Sequence, residues 1–324
     1  MSSIILTHGD LDGIASGAIA LMAFPRSQVI FTRPSQIHED LLRFARDAPD
    51  LVSISDIAVN SSMFEEIMRA IDRYPARTKI HWTDHHPIAP SQKKRLSQKV
   101  EYFHETGVSA AELVFRKFGA KLPEAALRLA LYGAIGDYCD NTPFTSLYLE
   151  NYDKRTLYFE AGILVQALQE IDYKRESRDL LYELALGVQP SAMNEMVTLA
   201  VKATRIENEV FHYVQENARK MGDVGYVLDM PMNGYRGKSA KFAASCTESQ
   251  VGISARSGED EIDLSLRRRN SVIDLNEALS EIIPHIPGSQ GGGHPAAAGA
   301  TMNRNDFPTF LERLVSYVNS SSQK

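Results

Sequence analysis

The chain has 324 residues, of which 44% are apolar and 23% charged, and a net charge of −6. That length is too great for one ordinary core and leaves room for two domains, and the composition is that of a soluble globular protein. The acidic balance excludes a general duplex-coating role, so any nucleic-acid contact has to come from a local basic patch.

No apolar run approaches about 18 residues and the start does not read as a leader, which sets the expectation of a cytoplasmic protein without a membrane segment. Cys139 and Cys246 lie far apart and outside any CxxC spacing, the usage of reduced thiols in the cytoplasm.

Along the first 150 residues, strand-like runs (4–8, 26–32, 51–55, 79–83) alternate with helical patterns (13–24, 35–47, 60–73, 108–118, 123–136). This alternation predicts an α/β fold with a doubly wound, mostly parallel sheet. Asn60 ahead of Ser61-Ser62-Met63 reads as an N-cap, and Pro75 closes the helix that follows. Residues 151–218 show only helical periodicity, through Leu164, Leu168, Leu180 and Leu184 among others, and predict a helical connector. Residues 219–324 then read as a smaller α/β domain, with strands at 224–228, 251–256 and 262–267 and a closing helix at 307–318.

Polar residues gather where the strand-like runs of the first domain end. His8, Asp10 and Asp12 follow the first run, Asp56 the third, and Asp84, His85 and His86 the fourth; Asp137 ends the apolar run 125–135. Singly, Asp56 reads as a helix cap, Asp10 and Asp12 as turn formers, and the histidines as surface residues. Jointly, they are what an open α/β sheet places outside its strand tips. So many carboxylates in one place repel one another. Two divalent cations would remove that cost and share one acid, most economically Asp56. Spaced about 3.5–4 Å apart, such ions clamp the attacking and leaving oxygens of a phosphoryl transfer. Imidazole and carboxylate together suit manganese, with cobalt or zinc as substitutes.

The last domain supplies groups that could grip phosphate. If the alternation at 251–256 and 262–267 holds, Arg256 and Arg267 share the polar face of a hairpin and offer paired donors. Arg268 and Arg269 read equally well as a solvated edge. Gly291, Gly292 and Gly293 present backbone N–H groups, and His294 adds a donor. The segment from Asn233 to Ser239 opens a helix and could cradle a phosphate or remain a plain basic loop. Tyr235 is a candidate base-stacking ring by residue type alone.

These motifs, in this order, resemble the DHH-family phosphoesterases with a DHH-associated C-terminal domain, a group that includes RecJ-like exonucleases and nano-RNase-like enzymes. His8-x-Asp10-x-Asp12-Gly13, Asp56, Asp84-His85-His86 and Gly136-Asp137 match the four N-terminal motifs, and Gly291-Gly292-Gly293-His294 through Gly299 matches the C-terminal signature. The resemblance implies an active site in the interdomain cleft. It implies that His8, Asp10 and Asp56 hold one manganese and that Asp12, Asp56, His85 and Asp137 hold the second. Asp84 would orient an imidazole, and His86 would face the scissile phosphate.

The activity so implied is a metal-dependent phosphodiesterase or exonuclease that cuts short single-stranded RNA or DNA from an end to mononucleotides. The alternative is a hydrolase of small phosphate compounds: a cyclic or linear dinucleotide, phosphoadenosine phosphate or polyphosphate. A non-catalytic replication scaffold is disfavoured because every ligand is intact. A homodimer stays open.

Overall fold

In the computed structural model, which describes residues 2–171, 175–269, 273–293 and 295–321, the chain forms two compact units, residues 1–203 and 204–324. The division falls between Ala203 and Thr204, inside a long helix, whereas the expected boundaries stood at 150 and 218.

The first unit is built in the order β1 (Ser3–Thr7), α1 (Leu11–Ala23), β2 (Gln28–Phe31), α2 (Ile37–Ala45), β3 (Leu51–Ser55), α3 (Phe64–Ile71), β4 (Lys79–Asp84), α4 (Pro90–Leu96), β5 (Glu101–His104), α5 (Ala110–Phe118), α6 (Glu124–Gly136), α7 (Pro143–Leu149), α8 (Lys154–Ala167) and α9 (Glu176–Ala185). Helix α10 (Asn194–Asn217) spans the division.

The sheet of this unit has the strand order β2-β1-β3-β4-β5, and all its neighbours are parallel. All five residues of the central strand β3 are buried, as expected where helices cover both faces. Along β1 the side chains alternate. Ile5 joins a core with α1, α5, α6, α8 and α9, whereas Ile4 and Leu6 join one with α2 and α3. Residues expected to form a connector are helical, and their Leu157, Leu164, Leu180 and Leu184 belong to the first of these cores. The winding reverses between β1 and β3, which leaves a crevice at the carboxyl ends of those two strands.

The second unit runs β6 (Arg219–Met221), β7 (Val224–Leu228), α11 (Arg236–Cys246), β8 (Val251–Ser257), β9 (Glu261–Arg268), α12 (Leu275–Ile282), β10 (Gln290–Gly293), β11 (Ala297–Asn303) and α13 (Phe307–Ser321). Its strands lie in the order β10-β11-β9-β8-β7-β6, and only β7 and β8 pair in parallel, joined by α11. Ile253, Leu264 and Leu266 pack with Leu279, Phe310 and Leu314 of α12 and α13. The opposite face meets α11 so closely that a Cβ at Gly252 would lie 1.8 Å from the Ala240 carbonyl oxygen.

Several short elements went unread. β5 is a four-residue strand at the sheet edge without alternation. β11 is alanine- and glycine-rich and lacks the β-branched residues that mark a strand. The glycine run, expected to offer open backbone, is itself strand β10, paired with β11.

The packing of α11 yields a stability prediction. Gly252→Ala should lower stability to denaturant by at least about 2 kcal/mol, because the clash is with backbone that no rotamer relieves. Gly162, inside α8 with nothing within 4 Å of an added Cβ, should gain up to about 1 kcal/mol as Gly162→Ala. Equal effects would show that the contact between α11 and β8 is not the constraint described.

Candidate metal centre

Each acidic or imidazole group at the strand tips is positioned by a local backbone requirement. Asp10 caps α1, its Oδ1 accepting from the Gly13 N–H at 3.0 Å. Asp12 lies in the first turn of α1, fully buried, and its two oxygens accept from the Ala110 N–H (2.6 Å) and the Ala111 N–H (2.8 Å) at the start of α5. Asp56 follows β3 with φ +56, and its N–H donates to the Thr83 carbonyl at 3.1 Å. Asp84 ends β4, so His85 and His86 emerge at the strand tip, and Asp137 caps the C-terminus of α6. Tyr138, the next residue, also has φ +56. A left-handed backbone costs an L-residue roughly 1–2 kcal/mol, less for Asp than for a bulky ring.

The fold brings together the six expected ligands. His8 Nδ1 lies 2.8 Å from Asp10 Oδ2 and 3.7 Å from Asp56 Oδ2. His85 Nε2 lies 3.2 Å from Asp56 Oδ1, 3.4 Å from Asp137 Oδ2 and 3.8 Å from Asp12 Oδ2. Asp56 therefore turns one oxygen toward each group. The sets His8–Asp10–Asp56 and Asp12–His85–Asp137 each offer three donor atoms within 4.8 Å of one another, a spacing suited to a cation. Among the described residues Asp56 Oδ2 and His85 Nε2 are buried with no hydrogen-bond partner, the condition expected of ligands.

The electrostatics agree. Burial, then the Asp137 charge, pushes the Asp12 carboxyl well above its ordinary range; burial and then Asp10 do the same to Asp56. Asp137 is raised to about 6 by burial and by Asp10. Burial, followed by the neighbouring His86, lowers His85 to about 4 and so favours the neutral ring that binds metal.

His86 is held differently. Its Nδ1–H donates to Asp84 Oδ1 at 2.8 Å. Although burial opposes the charge, this bond and the Asp84 carboxylate raise the imidazole above its ordinary value. Asp84 thus orients His86. Sequence reasoning missed a second support: His104 Nε2–H donates to the His86 carbonyl at 2.7 Å, while Lys93 Nζ donates to His104 Nδ1 at 2.9 Å. The Ala110 and Ala111 amides were also missed. The Ser109-x-x-Glu112 capping pattern was their available signal, and Ser109 does cap α5.

In the second unit the candidate grips fare unevenly. Arg256 and Arg267 do share a face of the β8–β9 hairpin, but Arg256 pairs with Asp263 and Arg267 with Gly252. Four positions along the ladder separate them by on the order of 13 Å. Arg256 is exposed and Arg267 half-buried. Burial lowers the Arg267 pKa, and a Cβ at Gly237 would lie 2.6 Å from its Nη2. Gly291, Gly292 and Gly293 lie on the edge strand β10, where Gly291, Asp263, Thr301 and Arg236 line a cavity of about 480 Å³. The Gly293 N–H donates to Asn276 Oδ1 at 3.1 Å. His294 lies outside the described residues.

Two expectations are corrected. Ser239 is fully buried, with its hydroxyl donating to the Tyr235 carbonyl at 2.9 Å, and Tyr235 is only 2% exposed. Helix packing claims both side chains, which leaves neither a face for ligand.

Comparison with known proteins places the chain. Residues 210–320 match the DHHA1 domain family. Among solved structures, the DHH domain of a protein described as belonging to a family of ribosomal proteins superposes with a TM-score of 0.74 at 17% identity, over 98% of this chain and 86% of that one. RecJ of Thermus thermophilus in complex with Mn2+ gives 0.62 at 17%, over 98% of this chain and 52% of RecJ, so the chain spans about half of that enzyme. PggH of Vibrio cholerae, a pGpG-specific phosphodiesterase, gives 0.62 at 14%, over 99% of this chain and 100% of PggH. No curated protein sequence matches significantly. Residues 210–320 thus carry the DHHA1 domain, and over nearly its whole length the chain has the fold of these DHH-domain neighbours, to which it is similar.

Proposed function

We propose that the protein is a metal-dependent phosphodiesterase that shortens single-stranded oligonucleotides from one end to mononucleotides, using two divalent cations, manganese foremost. The observation that carries this reading is Asp56, whose two oxygens face two separate ligand sets while Oδ2 and His85 Nε2 lack a hydrogen-bond partner among the described residues. His8, Asp10 and Asp56 would hold one ion, and Asp12, Asp56, His85 and Asp137 the other. Bound there, the ions would polarise the phosphate and lower the pKa of a water between them to near neutrality.

The chain's own residues divide the remaining work. Backbone amides at α5 fix Asp12 so that its carboxylate does not swing with the substrate. With Nδ1–H donated to Asp84, whose carboxylate favours the imidazolium, His86 in that charged form presents Nε2–H as a donor that can stabilise charge on the phosphate or protonate the leaving oxygen. Arg256, Arg267, Gly291, Gly292, Gly293 and His294 would bind phosphate or sugar away from the bond being cut. The mixed donor set supports manganese over magnesium, and T. thermophilus RecJ has been solved with each of these ions.

One observation favours a second reading, hydrolysis of a dinucleotide. PggH, whose fold the chain shares over 99% of its own length, is a phosphodiesterase specific for the dinucleotide pGpG. Incubation with manganese and end-labelled RNA and DNA, from dinucleotides to longer oligomers, separates the two. The first reading predicts a ladder that descends to mononucleotides. Cleavage of dinucleotides alone would replace it with the second, and hydrolysis of polyphosphate without any nucleotide would overturn both.

Chemistry and grip should separate on mutation. His86→Ala should keep metal content near normal by elemental analysis yet lose roughly 10²–10³ in turnover. Arg256→Ala and His294→Ala should raise the oligonucleotide KM and leave turnover nearly intact, as expected when uniform binding energy is lost. A His86→Ala protein stripped of metal would make His86 a ligand, and an equal fall in turnover in all three variants would remove the proposed division of roles.

A further inference from the structure

Two hydrogen bonds reach His86 from the β4–β5 edge of the sheet, one to its ring and one to its main chain. Asp84 Oδ1 accepts from Nδ1–H of the imidazole at 2.8 Å, and the His86 carbonyl accepts from His104 Nε2–H at 2.7 Å. Residues 85–89, which carry both imidazoles, are neither helix nor strand, so no helical turn or sheet ladder sets their course. Pro87 lacks an N–H and keeps His86 out of the helical region. The His86 carbonyl carbon is bonded to the Cα that bears the ring, so a hold on that carbonyl limits the drift of the imidazole.

His104 is itself held on several sides. In the parallel pairing of β4 with β5, Asp84 lies opposite His104 and Trp82 opposite Tyr102. Alternate residues of a strand share a face, so all four side chains project to one side of the sheet. The Tyr102 ring stacks on His104 with centroids 5.2 Å apart and planes 21° from parallel. On the other ring nitrogen, Lys93 Nζ donates to Nδ1 at 2.9 Å. An ammonium can only donate, so Nδ1 keeps its lone pair and the ring proton sits on Nε2. That is the tautomer the His86 carbonyl requires. A ring that merely filled space at this edge would need no particular tautomer.

We propose that His104, with its tautomer set by Lys93, is a positioning residue for the phosphodiesterase step, keeping the His86 imidazole aimed at the phosphate and acting through His86 alone. The proposal rests on the phosphodiesterase reading and adds to it two residues outside the motifs of the sequence.

The test is a double-mutant cycle on the manganese-loaded full chain, read as kcat and KM on end-labelled RNA and DNA oligonucleotides. His104→Asn, whose shorter amide reaches only the Nδ1 position, leaves the carbonyl unpaired. It should lower kcat roughly ten- to a hundredfold at unchanged KM and metal content, the scale of a displacement of about 1 Å. His104→Gln, whose amide nitrogen reaches the Nε2 position, should restore most of that turnover. Both variants lose the ring that stacks on Tyr102, so both should melt alike, and a merely structural role would move their turnover together. In the His86→Ala background, His104→Asn should cost no further turnover, because residues that act as a unit are not additive. Lys93→Met, on the surface helix α4, should show the same pattern with a smaller fall, and it keeps the cycle measurable if His104→Asn does not fold. Equal turnover in the Gln and Asn variants, or an undiminished further loss in the His86→Ala background, would overturn the proposal. Failure of the parent chain to cleave either nucleic acid would instead remove the phosphodiesterase reading, and this inference with it.

Discussion

Mutual repulsion among buried carboxylates is the constraint on which the centre depends. Asp12 and Asp56 are almost wholly out of solvent, Asp137 adjoins them, and two atoms of the cluster, Asp56 Oδ2 and His85 Nε2, are buried without a hydrogen-bond partner among the described residues. Burying ionised carboxylates in this way is costly unless they are paired or bind a cation. The protein relieves part of the cost with the two α5 amides on Asp12, and holds the remaining charge in a form that divalent cations can neutralise.

The fold creates that situation by its winding. Because β1 and β3 are neighbours while their helices leave to opposite faces, the tips of these strands face an open crevice. His8, Asp10 and Asp12 enter from β1, Asp56 from β3, and Asp84, His85 and His86 from β4. Left-handed backbone at Asp56, whose oxygens face His8 and His85, is the cost of placing its carboxylate in this crevice. The His86 carbonyl, tied to His104 and through it to Lys93, extends the same rigidity to the edge strand β5.

Much of this was legible in the sequence because it depends on order and period. Apolar runs that end in Asp or His gave the strands, the parallel sheet and the six residues that converge. The unread parts depend on contacts between distant segments. No local pattern shows that Asp12 reaches amides 98 and 99 positions away, or that His104 lies beside Asp84. Arg256 and Arg267 were placed on the right face by their alternation, whereas their separation along the ladder comes only from the register. Ser239 misled because a basic, glycine-containing segment before a helix looks the same whether its hydroxyl faces a phosphate or the helix's own backbone.

The central claim is that cations relieve the carboxylate cluster, and thermal stability as a function of pH and metal tests it most directly. Folded-state values of Asp12, Asp56 and Asp137 lie above the ordinary carboxylate range, with Asp137 at about 6. Their contribution to metal-free stability is therefore full below about pH 4 and declines as pH rises through those values. His8 and His86 are also raised and act in the same direction; His85, lowered to about 4, acts oppositely, and Asp10, held well below the carboxylate range, does so only below about pH 4, outside the window compared below. Manganese at a hundredfold excess over its Kd should accordingly raise the melting temperature by roughly 5–10 °C near pH 7.5 and by much less near pH 5, where protons compete. Asp56→Ala, which removes the acid common to both ligand sets, should abolish most of that gain. An equal metal-induced shift at both pH values, or one retained in Asp56→Ala, would contradict the account.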